Sequence, residues 1–201
     1  MNNAPGAGRN IAGVILAAGT ASRMGTLKQL LMFRERPMLA QVLHNARSAR
    51  LHPLIVVLGH ESRKIQERID FAADTVVIAE DYALGQSASL KAGLSRVPAP
   101  CDGALCILGD QPLVPSTVMN TLVDAFYQRG KDIVIPTYQR RRGNPVLIGR
   151  ALFPKLSTAT GDTGARVLFS VYPERVVEIE VEHEGICIDM DTWEEYRKFS
   201  M

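Results

Sequence analysis

At 201 residues, 46% of them apolar and 22% charged, the chain has the make-up of an ordinary globular protein of one large domain or two small ones. Its formal net charge of +2 is too small to argue for nucleic acid or an anionic membrane as a partner, and no apolar run approaches the length of a membrane span. Cys101, Cys106 and Cys187 show no C-x-x-C spacing, which excludes an obvious zinc or thiol-redox motif; reduced thiols fit a cytoplasmic protein.

The start, Met1 to Arg9, lacks an apolar signal core, and residues 1–10 read as a disordered tail. Ile11–Leu16 is the first predicted strand. Behind it Ala17, Ala18 and Gly19 turn the backbone with almost no side chain in the way, so a ligand can approach the main chain. Arg23, Gly25 and Lys28 follow. Loop N–H groups, an arginine that grips two oxygens and a lysine point charge together suit phosphates. This is not a Walker loop: five residues separate Gly19 from Gly25, and Thr26 rather than lysine comes next. The G-x-G-x-x-G fingerprint is absent as well. The alternative is a plain strand-to-helix turn with surface charges.

Further along, Pro37 opens a helix running to about Arg50. Leu54–Leu58 is a strand, Glu61–Ile69 a polar helix, Thr75–Ala79 a strand and Ser87–Leu94 a short helix. Ala104–Leu108 is the fourth strand, Pro115 starts a helix to about Arg129, and Asp132–Pro136 is the fifth strand. Thr137 to Ile148 reads as an extended pair around an arginine-rich turn. Thr163–Val171 and Thr192–Phe199 read as helices, Val176–Val181 and Ile186–Ile188 as strands. Neither a linker nor an internal repeat interrupts the series. Short apolar runs alternating with helical patterns predict an α/β fold, a single-domain Rossmann-like three-layer sandwich with a mostly parallel central sheet. In such sheets ligands sit at the carboxyl ends of the strands, where the strand order reverses. The loop after the first strand and Gly109-Asp110 after the fourth both obey that rule.

Asp110, at a strand end beside a phosphate-type loop, suits a magnesium ligand; the alternative is a turn or cap for the helix near Pro115. Asp189 and Asp191 alternate with Ile188 and Met190, which predicts a shared strand face. Asp191 also precedes Thr192-Trp193-Glu194-Glu195, so capping that helix competes with metal binding. Gly85-Gln86-Ser87-Ala88-Ser89 begins a helix whose free N–H groups and hydroxyls suit a base or ribose, or Ser87 simply caps it. Arg140 and Arg141 read as solvated. Asn144, between Gly143 and Pro145, is a rigidly held amide, and Asp162 can cap a helix. His44, His52, His60 and His183 form no catalytic pattern, and Trp193 reads as a packing residue.

The run LAAG-x-x-x-R-M-G-x-x-K, Leu16 to Lys28, resembles the signature loop of the nucleotidylyltransferases, and most closely that of the molybdenum cofactor cytidylyltransferases. The GDQP of Gly109–Pro112, the G-x-S-x-S-L of Gly85–Leu90, the R-G-N-P-V of Arg142–Val146, the G-D-x-G-A-R of Gly161–Arg166 and the D-M-D-T-x-E-E-Y of Asp189–Tyr196 resemble further elements of that family, in the same order. The likeness runs from about Ile11 to Phe199 and implies one nucleotidylyltransferase domain over 11–201. Departures are Ala21 for a usual serine, Met32 for proline, and Glu35 and Gln139 for glycines. The resemblance implies that Leu16, Ala17, Ala18, Gly19, Arg23, Lys28, Gly85, Ser87, Ser89 and Asp110 hold the nucleotide. It places Asp110 and Asp191 on magnesium, and Gln111, Asn144 and Asp162 toward the acceptor. Arg23, Lys28 and Asp110 become the catalytic candidates. Ala18 stands where guanylyl relatives carry glycine; its methyl narrows the base slot and favours a pyrimidine.

The implied reaction is magnesium-dependent transfer of CMP from CTP to the phosphate of a molybdopterin-type acceptor, with release of pyrophosphate and a molybdoenzyme as a possible client. The alternatives are cytidylyl or uridylyl transfer to another small phosphate, such as a sugar or isoprenoid precursor, and a non-catalytic adaptor that delivers cofactor.

Overall fold

The computed structural model describes residues 10–19, 24–158 and 160–200, with backbone alone at 157 and 158. The expected tail lies outside the described residues, apart from Asn10. β1 (Ile11–Ala17) leads to a small hairpin of β2 (Met32–Phe33) and β3 (Arg36–Pro37), then α1 (Met38–Arg47), β4 (Leu54–Leu58), α2 (Ser62–Gln66) and β5 (Thr75–Ile78). α3 (Gln86–Leu94), β6 (Gly103–Leu108), α4 (Ser116–Arg129), β7 (Ile133–Tyr138), β8 (Arg141–Arg142) and β9 (Val146–Gly149) follow. The chain closes with α5 (Arg166–Val171), β10 (Val176–Glu180) and α6 (Trp193–Phe199).

The main sheet has eight strands in the order β10-β7-β9-β6-β1-β4-β5, with β8 paired to β7. β1 is parallel to both β4 and β6, β4 to β5, and β7 to β10. β9 is inserted antiparallel between β6 and β7, and the short β8 also pairs antiparallel with β7. This is the mostly parallel α/β sandwich that the alternation of apolar runs predicts. The strand order reverses between β1 and β6: β4 and β5 build outward on one side of β1, and β6 returns on the other. The carboxyl ends of β1 and β6 stand side by side at this switch in strand order, the position where sheets of this kind bind ligands.

Successive side chains of each strand serve opposite faces. Ile11, Ile15, Val56, Leu58, Leu105 and Ile107 pack against Leu39, Val42 and Leu43 of α1 and Val118 and Leu122 of α4. Ala12, Val14, Ile55, Val57, Ala104 and Cys106 pack against Leu90 and Leu94 of α3 and Leu168 of α5. Each fully buried aliphatic side chain contributes roughly 1.5–3 kcal/mol, so these two layers supply the main driving force for the fold. Among the described residues no helix is long and apolar enough to cross a membrane.

Three expectations change. Ile186–Ile188 is not a strand: Glu184–Cys187 forms a 3-10 turn. The Ile186 carbonyl accepts from Asn144 N at 2.9 Å and Gln111 Nε2 at 3.3 Å, so its bonding capacity goes to bracing two loops rather than to a ladder. Asp189 and Asp191 accordingly lie on an irregular segment, not on one strand face. The polar helix after β4 is short, because Glu61 adopts a left-handed conformation (φ 53°) and regular α-helix ends at Gln66. Trp193, a packing residue as expected, meets Tyr196 edge-on and stays 41% exposed.

α3 lies so close to β1 and β4 that a Cβ at Gly93 would stand 2.5 Å from Val14 Cγ1 and 2.9 Å from Val57 Cγ2. Two effects of opposite sign meet there. Gly→Ala inside a helix normally gains about 1 kcal/mol, whereas overpacking a filled core costs about 1–3 kcal/mol. Crowding is expected to win: in urea denaturation Gly93→Ala lowers stability, and a gain would show that the interface has slack.

Candidate active site

The end of β1 is held open by its neighbours. Gln29 is buried, and its Nε2 donates to Ala17 O at 3.0 Å and Gly19 O at 3.4 Å, pinning the loop's first turn from beneath. Gly109 N donates to Leu16 O at 2.9 Å, and a Cβ at Gly109 would stand 2.9 Å from the Ala17 methyl. Glycine is therefore required where β6 passes β1, and this approach sets Asp110 beside the β1 loop. Leu16, Ala17, Ala18 and Gly19 line a cavity of about 420 Å³ whose other walls include Lys28, Gly85, Ser89, Asp110 and Asp162. That volume lies within the usual range for small-molecule sites.

Lys28 opens a 3-10 turn (Lys28–Leu30), and its ammonium lies between two carboxylates. Nζ is 2.9 Å from Asp110 Oδ2 and 2.5 Å from Asp191 Oδ1. Burial pulls the Lys28 pKa down and is the largest single influence, but Asp110 and Asp191 together outweigh it, and the net shift is upward. Asp191 does not cap α6. Thr192 holds that position, its hydroxyl accepting from Glu195 N while the Glu195 carboxylate reaches back to Thr192 N, a full capping box. The Asp191 carboxylate is thereby left to face Lys28. Asp110 does not cap α4 either, since Pro115 holds the N-cap of that helix. Met190 N donates to Asp110 O at 3.0 Å and ties the two acidic segments together.

Gln111 is buried and does not line the cavity. Its Nε2 donates to Asp189 Oδ1 at 2.7 Å, and among the described residues its Oε1 has no partner. Burial pushes the Asp189 carboxyl up, the Asp110 charge adds to this, and the Gln111 hydrogen bond opposes both. Gln111 therefore acts on the site through Asp189 and Ile186. Ser87 also sits away from the cavity: its Oγ accepts from Gly164 N at 3.1 Å. Asp162 Oδ1 accepts from Gln86 N at 3.1 Å. With Gly85 at φ 101°, where a Cβ would stand 2.6 Å from the Gly161 carbonyl carbon, these bonds lock the 161–164 turn onto the start of α3. Of the two serines, Ser89 lines the cavity.

A second cavity of about 390 Å³ shares Leu16, Gln86 and Leu108 with the first. Asn144 lines it, with Arg142, Arg166 and Phe169. Asn144 N donates to Ile186 O, while Arg142 Nη2 is 2.6 Å from Glu178 Oε1. The two cavities meet at the end of β1, room for two ligands that touch. Arg23 lies outside the described residues. Sequence reasoning passed over Gln29, Tyr82 and Gln86, all lining the first cavity. For Gln29 a signal existed: it is a polar residue inside the apolar run of Leu27, Leu30 and Leu31.

No group of three or more potential metal-ligating side chains occurs among the described residues. Two carboxylates converging on one cationic atom do, however, fit a hard divalent ion, since magnesium is commonly held by one or two carboxylates plus substrate phosphates.

Residues 13–177 match the MobA-like NTP transferase domain. Nicotine blue oxidoreductase of Paenarthrobacter nicotinovorans is 29% identical over 194 residues, covering 92% of this chain and 94% of that protein. Bifunctional protein GlmU of Pelobacter propionicus is 30% identical over 145 residues, 71% of this chain but only 31% of its own length. The crystal structure of Rv0371c from Mycobacterium tuberculosis H37Rv superposes with a TM-score of 0.86 at 33% identity, covering 96% of this chain and 97% of that one. A manganese complex of Rv0371c gives a TM-score of 0.82 at 30% identity, covering 95% and 98%.

Ser87→Ala leaves the buried Gly164 N–H without its acceptor, which is expected to cost about 1–3 kcal/mol in chemical denaturation; no change would mean that the turn is held by other contacts. Because Lys28 titrates above the ordinary lysine value of 10.5, the stability it contributes is complete below that value and is lost as pH rises through its own higher pKa. The Tm difference between wild type and Lys28→Met should therefore stay level from neutral pH to about pH 10 and shrink beyond it. A difference that fades already between pH 7 and 9 would contradict the ion triad.

Proposed function

The chain belongs to the MobA-like NTP transferase family and is a nucleotidyltransferase, and from that premise we propose that it transfers CMP from CTP to the phosphate of a molybdopterin-type acceptor. A phosphate oxygen of the acceptor attacks the α-phosphorus of CTP. The new P–O bond forms as the bond from α-phosphorus to the bridging oxygen breaks, and pyrophosphate leaves with the electron pair. The attacking oxygen is already anionic, so no strong base is needed, in keeping with a site that has no histidine near its centre.

The observation that carries this reading is Lys28 between Asp110 and Asp191 on the wall of the cavity lined by Leu16 to Gly19. Backbone of Ala17 to Gly19 meets the nucleotide. The Ala18 methyl narrows the base slot in favour of cytosine. Lys28, with Arg23, stabilises charge on the α-phosphate and the departing pyrophosphate. Asp110 and Asp191 hold magnesium, which supplies charge neutralisation at the phosphates when bound. The manganese complex among the similar structures supports a divalent-ion site of this kind. The second cavity, with Asn144, Arg142 and Arg166 on its walls, takes the acceptor next to the α-phosphate, and Asp162 orders the turn between the two. Positioning of two ligands in adjoining cavities supplies much of the rate.

One other reading has an observation behind it. Likeness to a protein named nicotine blue oxidoreductase over nearly its whole length favours a redox reaction on a ligand in the second cavity, whose walls include Phe169. Each NTP, incubated with magnesium with and without molybdopterin, separates the readings. CTP-dependent pyrophosphate release that needs the acceptor supports transfer; consumption of a reduced nicotinamide with no pyrophosphate supports reduction.

Lys28→Ala is expected to lower turnover by about 10²–10³ at saturating CTP, and near-normal turnover would remove Lys28 from the mechanism. Asp110→Asn is expected to shift the magnesium titration of activity to higher concentrations, whereas a superimposable curve would argue against ligation.

A further inference from the structure

For a nucleotide in the first cavity and an acceptor in the second, the attacking oxygen and the α-phosphorus must come within about 3–3.5 Å of each other, and that is possible only where the cavities join. Among the described residues Leu16, Gln86 and Leu108 line both cavities, and of these Gln86 alone has a polar side chain. Gln86 opens α3, and its backbone N–H is held by Asp162 Oδ1 at 3.1 Å. Its carboxamide lies against Gly164, on the wall of the second cavity: a Cβ at Gly164 would stand 2.7 Å from Gln86 Oε1, and φ there is 52°. Glycine at that point leaves the amide room at the junction, and Ser87 Oγ fixes Gly164 in turn by accepting from its N–H at 3.1 Å. Among the described residues the carboxamide has no hydrogen-bond partner, so its N–H groups and its carbonyl oxygen are available to ligands.

Resting on the nucleotidyl-transfer reading, we propose that Gln86 bridges the two substrates: its carboxamide hydrogen-bonds the nucleotide and the acceptor phosphate at the same time and fixes the line of attack on the α-phosphorus. A neutral amide suits this position. It donates to phosphate oxygens on either side and brings no charge that would repel an anionic ligand. Whichever ligand binds first orders the side chain, and the second is spared that loss of freedom. Nucleotide and acceptor therefore gain positive coupling through Gln86, and by thermodynamic linkage each raises the affinity of the other by the same factor.

The test is calorimetric titration of the protein with molybdopterin, with and without magnesium and α,β-methylene-CTP, whose carbon bridge prevents release of pyrophosphate. Gln86→Met keeps the length of the side chain and removes its hydrogen bonds. It is expected to weaken molybdopterin binding about 5–10-fold more with the nucleotide analogue bound than without it. Turnover at saturating CTP and acceptor is expected to fall about 10–100-fold in the same variant. A merely structural role would weaken binding equally in both titrations. If Gln86→Met does not give folded protein by circular dichroism, Gln86→Asn carries the same expectation, its amide being one carbon too short to reach both ligands. Equal weakening with and without the analogue overturns the proposal, as does wild-type turnover at saturation. The pyrophosphate assay keeps the two readings apart. CTP-dependent pyrophosphate from wild type, with equal weakening in the variant, defeats the bridge alone. Greater weakening with the analogue, but no pyrophosphate from wild type, defeats the transfer reading alone. Failure of wild type to bind molybdopterin overturns both.

Discussion

An ammonium held between two carboxylates is the contact on which the site depends. Lys28 links the first loop of the chain to the end of β6 and to the segment before α6. Its charge offsets the repulsion between Asp110 and Asp191 beside a third acid, Asp189, whose carboxyl burial already pushes up. With it, three acidic residues can be kept close together at a crevice meant for a still more negative ligand. The arrangement is costly to desolvate, and such pairs are retained more for placing charge than for raw stability.

The sheet makes that placement possible. β1 and β6 are adjacent and parallel, so both end at the same edge, where the strand order reverses. Gly109 lets the two loops come within contact distance where any side chain would collide with Ala17. Gln111 and Ser87 behind the cavity, and Gln29 on its wall, are buried and spend hydrogen bonds on backbone and loop partners. They set the walls, while Lys28, Asp110 and Ser89 face the space.

Those roles explain which residues were readable early. Gly19, Lys28 and Asp110 stood out because small residues, a cation and an acid at strand ends suit only a few kinds of chemistry. Ser87 and Gln111 looked alike by residue type but turn inward, because their nearest backbone partners, Gly164 and Ile186, come from distant segments. Ile186–Ile188 has the apolar pattern of a strand and forms a turn, because its carbonyl is engaged by Asn144 and Gln111. Thr192 rather than Asp191 caps α6, a choice between adjacent residues that local pattern left open.

The positions of the parallel strands β1, β4, β5, β6, β7 and β10 and their alternating apolar character were legible in the sequence alone, since each rests on periodicity or composition within about ten residues. Tertiary structure alone decided which acids meet Lys28. Asp110 is 82 residues away along the chain and Asp191 is 163. No local rule links such distant groups; only the return of β6 beside β1, and the capping box that turns Asp191 outward from α6, bring their charges to a single point.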